Sequence, residues 1–143
     1  MKPVFQTRKG SDGNCLAACL ASILELPLEK VDFTANGEWL AKTQEILKPF
    51  GFFYLGVAID KHITLMAMPE NYCVFVGDTI RTKDTGLLHC VVGRLVMEDK
   101  NTMLRFVTAH DPLGENSGWL SELKPKELGF LIPINPHLTG ALQ

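Results

Sequence analysis

The sequence predicts an α+β domain in which helices come first and a small, mostly antiparallel sheet follows. Three observations predict it. Apolar residues recur at helical spacing as far as Phe50. From residue 52 onward, short runs rich in aromatic and β-branched residues alternate with Pro, Gly, Asp and Asn clusters. The 143 residues are 46% apolar and 21% charged, which suits one compact domain over 1–143 and excludes a disordered, collagen-like or low-complexity chain.

The elements follow in order. Residues 1–14 are polar and irregular, punctuated by Gly10 and Gly13. A helix is expected to start at Asn14 or Cys15, since Asn14 is a good N-cap type and Leu16, Leu20, Ile23 and Leu24 form one stripe. Leu26-Pro27 ends it, because a residue before proline avoids the helical region. A short second helix is expected from Pro27, with Glu29 in its first turn. Trp39, Leu40, Thr43, Ile46, Leu47 and Phe50 mark the next over Gly37–Phe50. Pro49 argues for an earlier end, and Gly51 stands at the C-terminal cap. Strands are expected at Phe52–Ile59, Tyr72–Val76, Leu87–Met97, Thr102–Thr108 and Gly129–Ile134. Trp39 is expected to anchor helix packing, and Phe5, Phe52 and Phe53 to join the core. Arg94 and Arg105 mark solvent-facing strand positions.

Charge narrows the functional classes. With 14 Lys+Arg against 16 Asp+Glu the net charge is −2, so no basic surplus exists to hold phosphates and no nucleic-acid partner is expected. The uncharged run Cys15–Leu24 is too short to cross a bilayer and lacks a signal peptide's place and cleavage site, so no membrane partner is expected. A soluble, cytoplasmic chain follows, with the four cysteines at 15, 19, 73 and 90 read as reduced thiols. The oligomeric state stays open.

Chemistry centres on Cys15. It stands at the expected helix start, where unpaired N–H groups and partial positive charge favour a thiolate and can stabilise an oxyanion. The alternative is a small buried hydrophobe, which fits Cys19, Cys73 and Cys90 better because they sit inside apolar elements. His89 opens the strand Leu88–Arg94, and a polar group at the mouth of an apolar strand needs a partner. Asp111 ends the next strand, before Pro112. If Asp99-Lys100-Asn101 is a three-residue hairpin loop, Glu98 faces Thr102, and His89 and Asp111, equidistant from Lys100, face each other on one side. A two-residue loop would instead pair His89 with His110 and turn Asp111 away.

Cys15, His89 and Asp111 together make a nucleophile, a general base and an orienting acid. Gln6, a side-chain amide shortly before the nucleophile, is the expected oxyanion donor beside the Cys15 N–H. Asn14 and Trp119 are expected at the rim, Trp119 shielding the His–Asp pair from water and Asp111–Gly118 forming a lip. A zinc site drawn from Cys15, Cys19, His89, Cys90, His110 or Asp111 is the third class weighed. No C-x₂-C or deaminase spacing supports it, so no metal or other cofactor is expected.

Gln6 followed by Gly13-Asn14-Cys15-Leu16-Ala17-Ala18 resembles the opening of papain-like cysteine peptidases, most closely the small bacteriocin-processing branch. In that branch the order is also cysteine, histidine at a strand start, then aspartate before proline, as in Leu88–Val92 and His110–Pro112 here. The chain is also similar to small proteins of bacteria and their phages that share the openings Pro3–Thr7 and Gly13–Val31, the strand Leu87–Arg94 and the turn His110–Pro112. The likeness covers most of Pro3–Trp119. It implies a papain-like fold, with the nucleophile at the start of a central helix packed on a small antiparallel sheet.

The implied activity is a cysteine-dependent hydrolase (peptidase, isopeptidase or amidase) or acyl transferase acting through a thioester. Its partner would be a peptide, a protein, or a small amide or thioester. A non-catalytic peptide- or protein-binding module on the same fold, such as a phage-encoded modulator of a host factor, is the alternative. Three departures from the branch are visible. The stretch from Gln6 to Cys15 is longer here, the chain is short for a deep substrate groove, and a propeptide and a fused transporter are not expected. An active cytosolic hydrolase of this kind is expected to have narrow specificity.

Overall fold

The computed structural model describes residues 1–59, 71–79, 82, 85–98, 103–114 and 125–139. Its helices are α1 (Cys15–Leu24), α2 (Trp39–Leu47) and α3 (Pro136–Thr139). Its strands are β1 (Phe52–Ala58), β2 (Tyr72–Gly77), β3 (His89–Glu98), β4 (Met103–His110) and β5 (Glu127–Pro133). All strand pairs are antiparallel, in the spatial order β1-β5-β2-β3-β4. The α+β class is therefore as expected. Short 3₁₀ turns occupy Leu28–Lys30, after Pro27, and Lys48–Phe50, where Pro49 ends α2 before left-handed Gly51 (φ 77°).

Helix α1 is the centre of the molecule. A one-sided stripe was expected, but Leu16 through Ser22 are all buried, so the helix is enclosed nearly all round. Ala17, Ala18 and Ala21 let the backbone approach its surroundings closely. One side meets Val74 and Val76 of β2 and Cys90 and Val92 of β3. On another side runs the N-terminal segment, tied to the helix by Lys2 N–H donating to Ser22 O (3.1 Å) and Val4 N–H to Ser22 Oγ (2.9 Å). The far face of the sheet carries a second cluster of Cys73, Phe75, Val91, Leu95 and Leu128. Alternation along β3 thus divides Cys90 and Val92 from Val91 and Leu95. Trp39 packs on the core as expected, edge-on to Tyr54. Phe52 is half-buried, whereas Phe5 and Phe53 are exposed, contrary to expectation. Phe5 lies on the surface against His110, and Phe53 falls on the outward side of edge strand β1.

Aromatic rings lie over glycines on both faces. Phe75 covers Gly93 and Tyr54 covers Gly129, so that a Cβ on either glycine would overlap the ring. Among the described residues no helix is long and apolar enough to cross a membrane.

The β3–β4 register departs from expectation. Glu98 pairs with Met103 rather than Thr102, and the ladder runs on in this alignment to Gly93 and Thr108. Continued unchanged, it would face Asp111 with Cys90 and set the carboxylate on the wrong side of the ladder. A bulge intervenes. Val92 pairs with His110, leaving Ala109 as the extra residue, so the next position opposite Asp111 is Val91. The parity needed for His89 and Asp111 to share a side is restored by the bulge, not by the turn. The turn residues Asp99–Asn101 lie outside the described residues.

The bulge sits at Gly93, under Phe75. Gly93→Ala should destabilise the fold by about 1–3 kcal/mol through overpacking, read as a lowered midpoint in urea unfolding. An unchanged midpoint would mean that Phe75 moves freely out of the way.

Candidate active site

Cys15 is the first residue of α1, so its backbone N–H belongs to the opening turn and has no partner within the helix. Asn14 precedes it at the N-cap, but its side chain makes no cap bond. Nor does it sit at the rim as expected, since it is fully buried. Its Oδ1 accepts from the Thr7 and Arg8 N–H groups, both at 3.0 Å. Its Nδ2 donates to Thr7 Oγ1 (3.0 Å) and Asp32 Oδ1 (2.8 Å). Asp32 also takes the Arg8 guanidinium in two bonds of 2.7 and 2.9 Å. This network ties residues 7–8 back to the start of α1. The longer stretch between Gln6 and Cys15 is absorbed by an outward loop with a 3₁₀ turn at Gly10–Asp12.

Gln6 is thereby brought beside Cys15. Its N–H donates to Pro112 O (3.0 Å), which fastens the segment to the turn after Asp111. One proton of Nε2 goes to Arg8 O (2.8 Å), and the second has no partner among the described residues. Gln6, Cys15 and His89 line one small cavity of about 100 Å³, with Leu88 and Leu113 among its apolar walls. His110, next to Asp111, holds Val4 O through Nε2 at 2.8 Å.

His89 opens β3 and is buried. Its Nε2 lies 2.8 Å from Asp111 Oδ1, which also accepts the Leu113 N–H (2.9 Å). The other ring nitrogen, Nδ1, is left for the Cys15 sulfur, with which His89 is hydrogen-bonded. The structure thus brings together Cys15, His89, Asp111 and Gln6. Trp119 lies outside the described residues.

The electrostatics favour a charged pair. The Cys15 pKa is lowered from about 9.0 to about 5. The Cys90 thiol contributes most by donating to the sulfur, burial opposes, and the His89 bond and charge and the Cys90 N–H add to the lowering. His89 moves the other way, from 6.5 to about 9. Burial alone would lower it, but hydrogen bonds to Asp111 and Cys15 and the charges of both outweigh that. The other three thiols are all shifted upward. Burial holds Cys73 near 12 and Cys19 well above its usual value. Cys90 is pushed up chiefly by the bond it gives to Cys15. All four cysteines are free.

Two contributors escaped the sequence. Cys90 was read as an inert core thiol; it is buried, yet it hydrogen-bonds directly to the Cys15 sulfur. Its place next to His89 gave no signal, because neighbours on a strand point to opposite sides. Asn14 gave no sign of its four bonds, since their partners lie on two separate segments, Thr7-Arg8 and the stretch holding Asp32. Among the described residues no group of three or more His, Cys, Asp or Glu side chains is arranged to hold a metal ion. No protein-family model and no curated protein sequence matches the chain.

Alkylation by iodoacetamide, followed residue by residue by mass spectrometry, should rise at Cys15 through about pH 5. Between that point and pH ~8 it should be confined to Cys15, below the reference thiol value of about 8.5. Equal labelling of Cys15 and Cys73 across this range would contradict the assigned charge state.

Proposed function

We propose that the chain is a cysteine-dependent hydrolase acting on an amide, isopeptide or thioester bond, on a scaffold of the papain-like type. The observation that carries this reading is the chain of contacts from Cys15 to His89 to Asp111, the last at 2.8 Å. A buried structural cysteine needs neither a histidine at its sulfur nor a carboxylate behind that histidine.

The steps follow from the atoms. The Cys15 thiolate attacks the carbonyl carbon and a C–S bond forms. Negative charge moves to the carbonyl oxygen, where the Cys15 N–H and the open Nε2 proton of Gln6 stabilise it. The His89 imidazolium gives its Nδ1 proton to the leaving nitrogen as the C–N bond breaks. A thioester remains. Neutral His89 then takes a proton from water, whose oxygen attacks the thioester and releases the acid with regeneration of the thiolate. An amine in place of water gives acyl transfer. Asp111 fixes the ring through Nε2 and supports its positive charge. Substrates are peptides, proteins or small amides and thioesters. The free thiols suit a reducing compartment such as the cytoplasm.

An activated ester tests this without knowledge of the substrate. With p-nitrophenyl acetate, Cys15 should become acetylated in a stoichiometric burst. His89→Ala should slow the burst by about 10²- to 10⁴-fold, the usual worth of a positioned acid–base group. Acetylation only at surface lysines, or a burst indifferent to His89, would remove the catalytic reading and leave a binding module on the same scaffold.

A further inference from the structure

A larger cavity, about 370 Å³, opens beside Cys15 away from His89. That volume lies within the range of small-ligand sites, roughly 300–1,000 Å³. Its walls are apolar, with Leu16, Trp39 and Val76 among them, and the exposed Leu87 and Leu88 stand at its mouth. Two polar side chains join these walls. Tyr54 and Glu127 both line the cavity, and the Tyr54 hydroxyl and Glu127 Oε1, packed against the glycines of the sheet, have no hydrogen-bond partner among the described residues. Tyr54 is only 1% exposed.

Sequence and register explain how these groups come to be there. Gly56 of β1 faces Gly129 of β5, a glycine pair inside a sheet. Such a pair weakens a sheet and commonly marks a close approach. Here it opens a notch. The Tyr54 ring lies over Gly129, and a Cβ at Gly56 would stand 2.7 Å from Glu127 Oε1. Gln44 holds the Tyr54 backbone from α2 through bonds of 2.7 and 3.0 Å. Glu127 pairs with Val76, and Val76 with Cys90, so one ladder row leads from the nucleophile's neighbour to the carboxylate. Two strand spacings separate its ends, about 10 Å. The adjacent cation does not cover Glu127, because Lys126 Nζ is paired with Asp78 at 2.6 Å.

A carboxylate and a phenol in the wall of an apolar cavity, each with an oxygen lacking a partner among the described residues, call for an occupant with an apolar stem and a donating tip. A positive tip also offsets the burial that raises the Glu127 pKa. We propose that this cavity is a specificity pocket for a lysine- or arginine-type side chain of the acyl substrate, its methylene stem against Trp39 and Val76 and its charged end on Glu127 and Tyr54. The proposal rests on the reading of Cys15 as the nucleophile, and names the substrate class for that site.

The test uses the chloromethyl ketones of N-acetyl-lysine, N-acetyl-norleucine and N-acetyl-glutamate, which carry the side chain on the acyl side of the reacting carbon, on the whole chain. In each the Cys15 thiolate displaces chloride, forming a C–S bond as the C–Cl bond breaks. Rates are divided by those with glutathione to remove intrinsic differences. The lysine probe should react roughly tenfold or more faster than the norleucine probe, as a charge-assisted hydrogen bond implies, and the glutamate probe slowest. In Glu127→Gln the lysine preference, each rate being taken relative to that variant's own iodoacetamide rate, should fall towards unity. No lysine preference, or one that survives Glu127→Gln, overturns the pocket. Should that variant not fold, the lysine, norleucine and glutamate order in the unmodified protein decides alone. Iodoacetamide separates the two claims. An ordinary thiol rate there refutes the activated nucleophile, whereas the probe ratio still judges the pocket.

Discussion

A thiolate in a protein interior is stable only where its surroundings replace the water it has lost. That requirement organises this molecule. Cys15 lies at the start of an enclosed helix, and three donors compensate its charge: the His89 ring, the Cys90 thiol and the Cys90 N–H. The helix N-terminus adds its partial positive charge. His89 can hold a proton there only because Asp111 lies behind it at 2.8 Å. Remove any one of these and the balance tips back towards the neutral pair, since burial disfavours both ions.

Two devices secure the arrangement. The first gathers separate segments around one buried amide. Asn14 uses all its bonding capacity to hold residues 7–8 and Asp32 around the first turn of α1, which places Gln6 at the cavity and the turn after Asp111 against the N-terminal segment. The second is a single extra residue, Ala109, in β4. A bulge is often a local accommodation in a sheet. Here it decides which side of the ladder receives the carboxylate, so one residue of register separates a complete acid–base pair from a disconnected one.

The order of elements was legible in the sequence because it rests on local signals. Pro27, Pro49 and Gly51 end helices by their own backbone restrictions, and β-branched runs become strands wherever a core face awaits them. The Cys15, His89 and Asp111 constellation was legible from residue type and position at element ends. The register was not. The hairpin alignment expected from Asp99–Asn101 differs by one residue from the ladder observed, and the bulge that compensates has no sequence mark beyond the small residues Gly93 and Ala109. Asn14, Cys90 and the Tyr54–Glu127 notch were beyond reach for a common reason: each depends on segments far apart in the chain. The notch needs β1 and β5 to be neighbours, which no short-range pattern announces. Phe5 and Phe53 failed in the opposite sense, because hydrophobic character does not oblige a residue to be buried.

The central claim is that His89 carries a proton at neutral pH because Cys15 and Asp111 both hold it there. Nuclear magnetic resonance of the His89 ring across a pH titration measures this directly. The account predicts a charged ring at neutral pH that titrates near 9, and a fall towards the ordinary value of 6.5 when Cys15 is replaced by serine. A ring that is neutral at pH ~7, at or below its reference value of about 6.5, would contradict the ion pair, and with it the nucleophile on which the functional reading depends.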